Sequence, residues 1–194
     1  MEETRFQLNN VSKKTNRIAK LGVLAAISIV LVAIIHIPIF PAVSFLEYDP
    51  ADIPILLGTF ALGPVAGILL TAAVSIIQGV TVSAASGWYG IVMHFISTGT
   101  YVAVAGNIYN HHKSKKMAII SLICGTAAWT LVMIPANLLL TPVYLQMIGL
   151  PAEAALGTVK SLLGWIVLFN LIKAGINSIL TFLLYKRVSG ILHR

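Results

Sequence analysis

Near the C-terminus of this chain a lysine stands inside a stretch apolar enough to cross a bilayer. In "LFNLIKAGINSILTFLL", residues 168–184, Lys173 shares the run with Asn170, Asn177 and Thr181, at successive intervals of three, four and four residues. That spacing puts all four side chains on one helical face. The helix is expected over Leu162–Leu184, with Lys173 at its midpoint. At about 1.5 Å per residue the nearer end lies roughly 16 Å away, beyond comfortable snorkelling. A central lysine is unfavourable by about 2.5–3.5 kcal/mol on insertion scales. Such a residue faces a bundle interior or a wet cavity and is a functional candidate by default. The chemistry on offer is recognition: an ammonium with hydrogens to donate, beside amides that both donate and accept. The plainer alternative is a structural stripe, with asparagines bonding between helices at around 1 kcal/mol per contact and the lysine paired with a carbonyl or carboxylate. Nothing within the segment itself neutralises Lys173.

A second polar group interrupts "MIPANLLLTP", where Pro135 loosens the helix and Asn137 sits beside it. Asn137 either satisfies backbone freed by the proline or joins the Lys173 face in a polar cavity between the fifth and sixth segments. His94 follows "SGWYG" and is either an interfacial histidine or a ligand contact. Trp88 and Tyr89 are aromatic-belt anchors or a stacking surface. No set of residues assembles for catalysis: the chain has no HExxH, no GxSxG, no paired intramembrane carboxylates and no cysteine–histidine arrangement. Its single cysteine, Cys124, supports neither a disulfide nor a metal framework. "GTFALGPVAG" lacks the GK[ST] of a phosphate loop, so uphill transport would need an ATPase from elsewhere.

The elements that hold these residues follow from composition. Of 194 residues 58% are hydrophobic and 10% charged, against about 25% charged in soluble domains. The expected fold is an all-α integral membrane protein, a single domain over 1–194. The net charge of +7 does not indicate nucleic acid, because the basic residues form three clusters between apolar runs: Arg5 to Lys20, Lys113 to Lys116, and Lys186 to Arg194. Residues 1–18 read as a cytoplasmic N-terminal segment rather than a cleaved signal, and Ala19–His36 as the first span. A proline- and aromatic-rich extracellular loop, a lid, occupies 37–54. Further spans are expected at Ile91–Tyr109 and Met117–Leu139, each long enough for a core roughly 30 Å thick. Residues 55–82 are either one helix or two folded at Gly63-Pro64. The fold at Gly63-Pro64 puts all three basic clusters on one side, as the positive-inside rule prefers. The expectation is therefore a bundle of six transmembrane helices with N- and C-termini cytoplasmic. The short second segment begins inside the preceding loop.

Four stretches, "FLEYDPADIPILLGTFALGPVAG" (45–67), "GIVMHFISTGTYV" (90–102), "IPANLLLTPVY" (134–144) and "FNLIKAGINSIL" (169–180), carry a resemblance over nearly the whole length. The chain resembles the substrate-binding S component of an energy-coupling factor (ECF) vitamin transporter, of the riboflavin-specific type. The resemblance implies a multi-pass protein of the bacterial cytoplasmic membrane, without an ATPase of its own. It would bind riboflavin near the outer face and work with a transmembrane T protein and two ATPase subunits. By position, Asn137, Asn170 and Lys173 match the residues that grip the vitamin, with Asn177 and His94 beside them. The loop from Phe45 through Leu46 and Tyr48 to Asp49 matches the lid, and Trp88 adds an aromatic wall. The family's Ala-x-x-x-Ala docking face on the first helix is altered here. Gly22 and Ala26 hold the closest spacing, while Ala25 is followed four residues later by Ile29. No cofactor, metal or catalytic residue is implied, riboflavin being cargo. An S component for another vitamin, a small integral-membrane enzyme around His94 and the acidic loop, and a membrane scaffold are the alternatives.

Overall fold

The computed structural model describes residues 2–43 and 46–192, with side chains for 14–41, 43 and 46–187. The described residues form six α-helices: α1 (Glu2–Ile34), α2 (Asp52–Leu62), α3 (Pro64–Val80), α4 (Gly87–His111), α5 (Lys115–Met147) and α6 (Ala152–Leu192). The only paired strands among the described residues, β1 (Ile37–Pro38) and β2 (Glu47–Tyr48), are antiparallel, with Ile37 opposite Tyr48. Among the described residues four segments are long and apolar enough to cross a membrane: Lys14–Ile34, Ala84–His111, Lys115–Met147 and Ala152–Arg187. Helices α2 and α3 are shorter apolar pieces.

The order of packing follows from which helices are apolar all round. Every residue of α2 from Asp52 to Ala61 is buried, and this helix packs on α1, α3, α4 and α6. A helix with no polar face belongs inside a bundle. Around it α3, α4, α5 and α6 pack in succession. α1 is peripheral, burying one narrow stripe (Leu24, Ser28, Val32) at four-residue spacing while Val23, Ile27 and Val30 stay exposed. Gly22 and Ala26 lie on that exposed side, Ala25 at its half-buried border, and a Cβ on Gly22 would meet nothing.

The expected break between α2 and α3 is present. Gly63 adopts φ +93°, a region that glycine enters without penalty, and Pro64 starts α3 where its missing N–H costs nothing. Ser114 caps α5 by accepting from the Met117 N–H at 3.2 Å.

Several boundaries differ from expectation: α6, expected over Leu162–Leu184, runs from Ala152 to Leu192, and α4, expected from Ile91, starts at Gly87. α1 continues back to Glu2 instead of starting at Ala19, so 1–18 is largely helical. α5 runs on to Met147 with Pro135 and Pro142 inside it. Membrane bundles tolerate such prolines because neighbouring groups re-satisfy the freed backbone. As expected, α2 begins inside the loop, at Asp52.

Arg17, Lys113, Lys115 and Lys186 gather at one end of the bundle. Arg17 donates to the Leu62 carbonyl at the C-terminus of α2, 2.8 Å away. Phe60 stacks on Tyr109 at 4.4 Å, and Tyr185 stands edge-on to both. Lys113, Lys115 and Lys186 line a cavity beside those tyrosines.

Candidate functional site

The opposite half of the bundle holds the polar groups, and the turn into α2 positions them. Asp49 accepts from the Ala51 N–H at 3.1 Å, an Asx-type turn that bends the chain from β2 into the helix. Its other oxygen accepts from the Lys173 ammonium at 2.6 Å. The lysine, 8% exposed, is thus neutralised by a carboxylate of the loop. This is the carboxylate pairing of the plainer alternative, supplied from outside the lysine's own segment. A buried ammonium without a partner costs several kcal/mol, and the loop supplies the countercharge.

Three residues on, Asp52 is fully buried in the first turn of α2, where the positive end of a helix favours a carboxylate. One oxygen accepts from Thr98 of α4 at 2.7 Å, the other from the Asn177 amide of α6 at 3.0 Å. His94 Nε2 stands 3.2 Å from the first oxygen without hydrogen-bond alignment. Its Nδ1 meets the Ser75 hydroxyl of α3 at 2.7 Å. Asp52 therefore ties α2 to α4 and α6 directly and to α3 through His94. Ser75, His94 and Asp52 line up as a nucleophile, base and acid would. Yet the Ser75 hydroxyl is buried and donates its hydrogen to the Thr71 carbonyl at 2.7 Å. The row acts as a staple between helices.

Tyr48 closes the row from the loop, its hydroxyl donating to Asn177 at 3.0 Å. Burial, and after it the neighbouring Asp49 carboxylate, push the Tyr48 phenol above its ordinary range, which keeps it a neutral donor. Loop backbone reaches into the bundle here, a placement tolerated where protein surrounds it. Phe40 also packs on Trp165 of α6, with ring centroids 5.1 Å apart.

Asn170, on the same face of α6, accepts from the Trp129 indole at 2.8 Å and donates to the Ile166 carbonyl at 2.7 Å. Asn137 donates to the Met133 carbonyl and accepts from Thr141, at 2.8 and 3.1 Å. Thr141 continues to the Tyr89 hydroxyl at 2.8 Å, and Tyr89 stacks on Tyr144 at 4.4 Å. An amide can donate two hydrogens and accept at two lone pairs. Each of these amides is oriented by its own helix and retains one donor and one acceptor beyond the bonds described.

Of the residues expected at a site, Tyr48, Asp49, His94, Lys173 and Asn177 come together around Asp52. Asn170 lies one turn from Lys173, and Asn137 belongs to the Tyr89–Thr141 chain. Trp88 stands edge-on to Tyr89 at 6.2 Å and is half exposed. Leu46 is half-buried, and Phe45 lies outside the described residues. The polar face does not open as a chamber between α5 and α6. Their groove is lined by apolar groups such as Ile123 and Leu171, while Lys173 and Asn177 turn to the loop and α2. Asp52, Thr98, Ser75 and Trp129 were missed. Asp52 leaves a signal as an acid three residues after Asp49 and directly before an apolar run, and Thr98 as the fourth residue after His94.

This arrangement of a short buried helix, a polar row on the last helix and a loop tied into it can be compared with known proteins. The pattern of the ECF transporter substrate-specific component matches residues 16–185.

The chain belongs to this family.

Among curated relatives of this S component is the riboflavin transporter RibU of Staphylococcus aureus (strain TCH60), 31% identical over 192 residues and spanning 98% of both chains. The riboflavin transporter FmnP of Bacillus subtilis (strain 168) is 26% identical over 178 residues, 90% of this chain and 93% of that one. A solved structure described as the S component of a bacterial ECF transporter superposes with a TM-score of 0.75 at 29% identity, covering 93% of this chain and 99% of the other.

Proposed function

We propose that this S component captures riboflavin from outside a bacterial cell and hands it inward, driven by a coupling module. The observation that carries the reading is the buried row Asn170, Lys173 and Asn177, closed by Tyr48 and Asp49 of the loop. Riboflavin's ring edge alternates carbonyls with an N–H, which the spare donor and acceptor of Asn137 and Asn170 complement. The ribityl hydroxyls suit Lys173, whose ammonium has donors left beyond its bond to Asp49. Leu46, Trp88 and Phe45 supply walls for the flat ring, and His94 and Asn177 hold the floor through Asp52. Names of the full-length relatives support the choice of vitamin.

In this reading all six helices lie in the cytoplasmic membrane, with both termini inside. Arg17, Lys20, the 113–116 turn and Lys186 then face the cytoplasm together, as the positive-inside rule favours. The loop 37–51 faces outward. The transmembrane T protein and the two ATPase subunits supply the energy. The T protein docks on α1 at the exposed Gly22 and Ala26, with Ala25 beside them, where small side chains permit close helix approach.

The test is the visible absorbance of the detergent-purified full chain after incubation with riboflavin and desalting. Retained flavin colour at near-stoichiometric level is expected. A protein that stays colourless yet is stabilised by a different vitamin rejects the assignment to riboflavin.

A further inference from the structure

The lysines of the α4–α5 turn and the end of α6 sit at the mouth of a groove. Between α5 and α6 runs a concave apolar surface of about 500 Å³, within the roughly 300–1,000 Å³ range of sites that hold small molecules. One wall is Ile119, Ile123 and Ala127, the other Leu171, Gly175 and Ile179. Gly175 helps make it concave, since a Cβ there would meet no atom within 4 Å. Phe182 and Leu183 line this groove and also a second cavity of about 440 Å³, so the two adjoin at these side chains. The second is lined by Lys113, Lys115 and Lys186 together with Ser114, Tyr109 and Tyr185. The carboxylates with described side chains, Glu47, Asp49, Asp52 and Glu153, belong to the loop and to the opposite helix ends. Nothing among them offsets the lysines.

We propose that this pair of cavities binds one anionic phospholipid, an acyl chain in the α5–α6 groove and the phosphate headgroup among Lys113, Lys115 and Lys186. An apolar channel ending in a lysine cluster matches a molecule with an apolar tail and an anionic head. Basic pockets between membrane helices hold such headgroups by charge, and tyrosine hydroxyls suit the interface where tail meets head. The start of α5 adds the positive end of a helix to the same place. Neither cavity includes a residue of the vitamin site, so the lipid acts as a structural ligand seaming α4, α5 and α6 at the basic end.

Native mass spectrometry of the full chain in mild detergent, with phosphatidylglycerol or phosphatidylcholine of the same acyl composition, tests this. The wild type retains phosphatidylglycerol over phosphatidylcholine. K113A/K115A/K186A weakens phosphatidylglycerol retention by up to about a hundredfold, at about fivefold per surface lysine, and leaves phosphatidylcholine unchanged. G175L fills the groove and weakens both lipids. Should G175L not fold, I123W fills it from the other wall with the same expected result. Equal retention of the two lipids by the wild type overturns the proposal, as does undiminished phosphatidylglycerol in the triple variant. A groove-filling variant that keeps both lipids but no longer co-purifies with its membrane partners also overturns it, and makes the groove a protein interface.

Discussion

Lys173 and Asp49, 124 residues apart in the chain, meet at 2.6 Å inside the bundle. The contact joins the middle of α6 to the loop that leads into α2. It makes the loop a structural partner of the polar row, because the only charge on that row is balanced from the loop. Opening the loop therefore means separating a buried ion pair, and a cargo molecule that offers hydrogen bonds to the ammonium lowers that cost.

Removing one member of the pair should cost far more than removing both. Lys173→Met leaves the Asp49 carboxylate buried and uncompensated, a loss of about 3–5 kcal/mol. Adding Asp49→Asn should recover most of it, since an amide still accepts from the Ala51 N–H. Thermal unfolding in detergent of the two single variants and the double measures this coupling. A double variant as unstable as Lys173→Met would mean that the ion pair is not the cause.

Asp52 should matter for stability as well as Asp49. It accepts from Thr98 and Asn177 and faces His94. Asp52→Ala strands buried donors at about 1–3 kcal/mol each, so a loss of roughly 3 kcal/mol or more is expected, with Asp52→Asn milder. Melting temperatures of both variants report the order, and equal temperatures for Asp52→Ala and wild type would refute the staple.

Close packing of α4 against the α2–α3 turn gives a separate test. A Cβ on Gly106 would lie 2.7 Å from Thr59 Cγ2 and 3.1 Å from the Pro64 Cα. Backbone cannot yield as a side-chain tip can, so Gly106→Ala should cost about 1–3 kcal/mol. Gly22→Ala, on the open side of α1, should leave the melting temperature unchanged.

Flavin affinity should follow the amides. Asn137→Ala and Asn170→Ala each remove about one hydrogen bond or more, worth about 0.5–1.5 kcal/mol, hence up to about tenfold in affinity. Trp129→Phe frees the Asn170 carbonyl from its indole donor and should weaken binding less than Asn170→Ala does. Titrations monitored by quenching of flavin fluorescence give the ranking. Tighter binding by either alanine variant would put the amides outside the site.

Part of this arrangement was legible in the sequence for local reasons. The spacing of Asn170, Lys173 and Asn177 placed one row on one helix face, and all three are buried. Gly63-Pro64 marked a turn, because a positive φ and a helix-starting proline are properties of the dipeptide. The basic clusters announced one end of the bundle. Asp49 appeared as a lid residue, but its bond to Lys173 had no local signature, since no spacing rule spans 124 residues.

Other features were hidden by competing physics. The fifth span was expected to stop at Leu139, yet packed neighbours let α5 continue through Pro142 to Met147. Residues 1–18 are polar enough to read as a tail, whereas α1 runs from Glu2. Asp52 counted as one more acid outside the membrane because acidic residues say little about topology. Only the tertiary fold shows that it begins a buried helix with donors from α4 and α6 around it.

The most direct measurement of the central claim is an equilibrium titration of riboflavin against the wild type and the K173M/D49N double variant, read by flavin fluorescence. The account predicts saturable quenching by the wild type and affinity at least about tenfold weaker in the double variant, whose fold is retained. Equal affinity in the two proteins, or no quenching by the wild type, would contradict it.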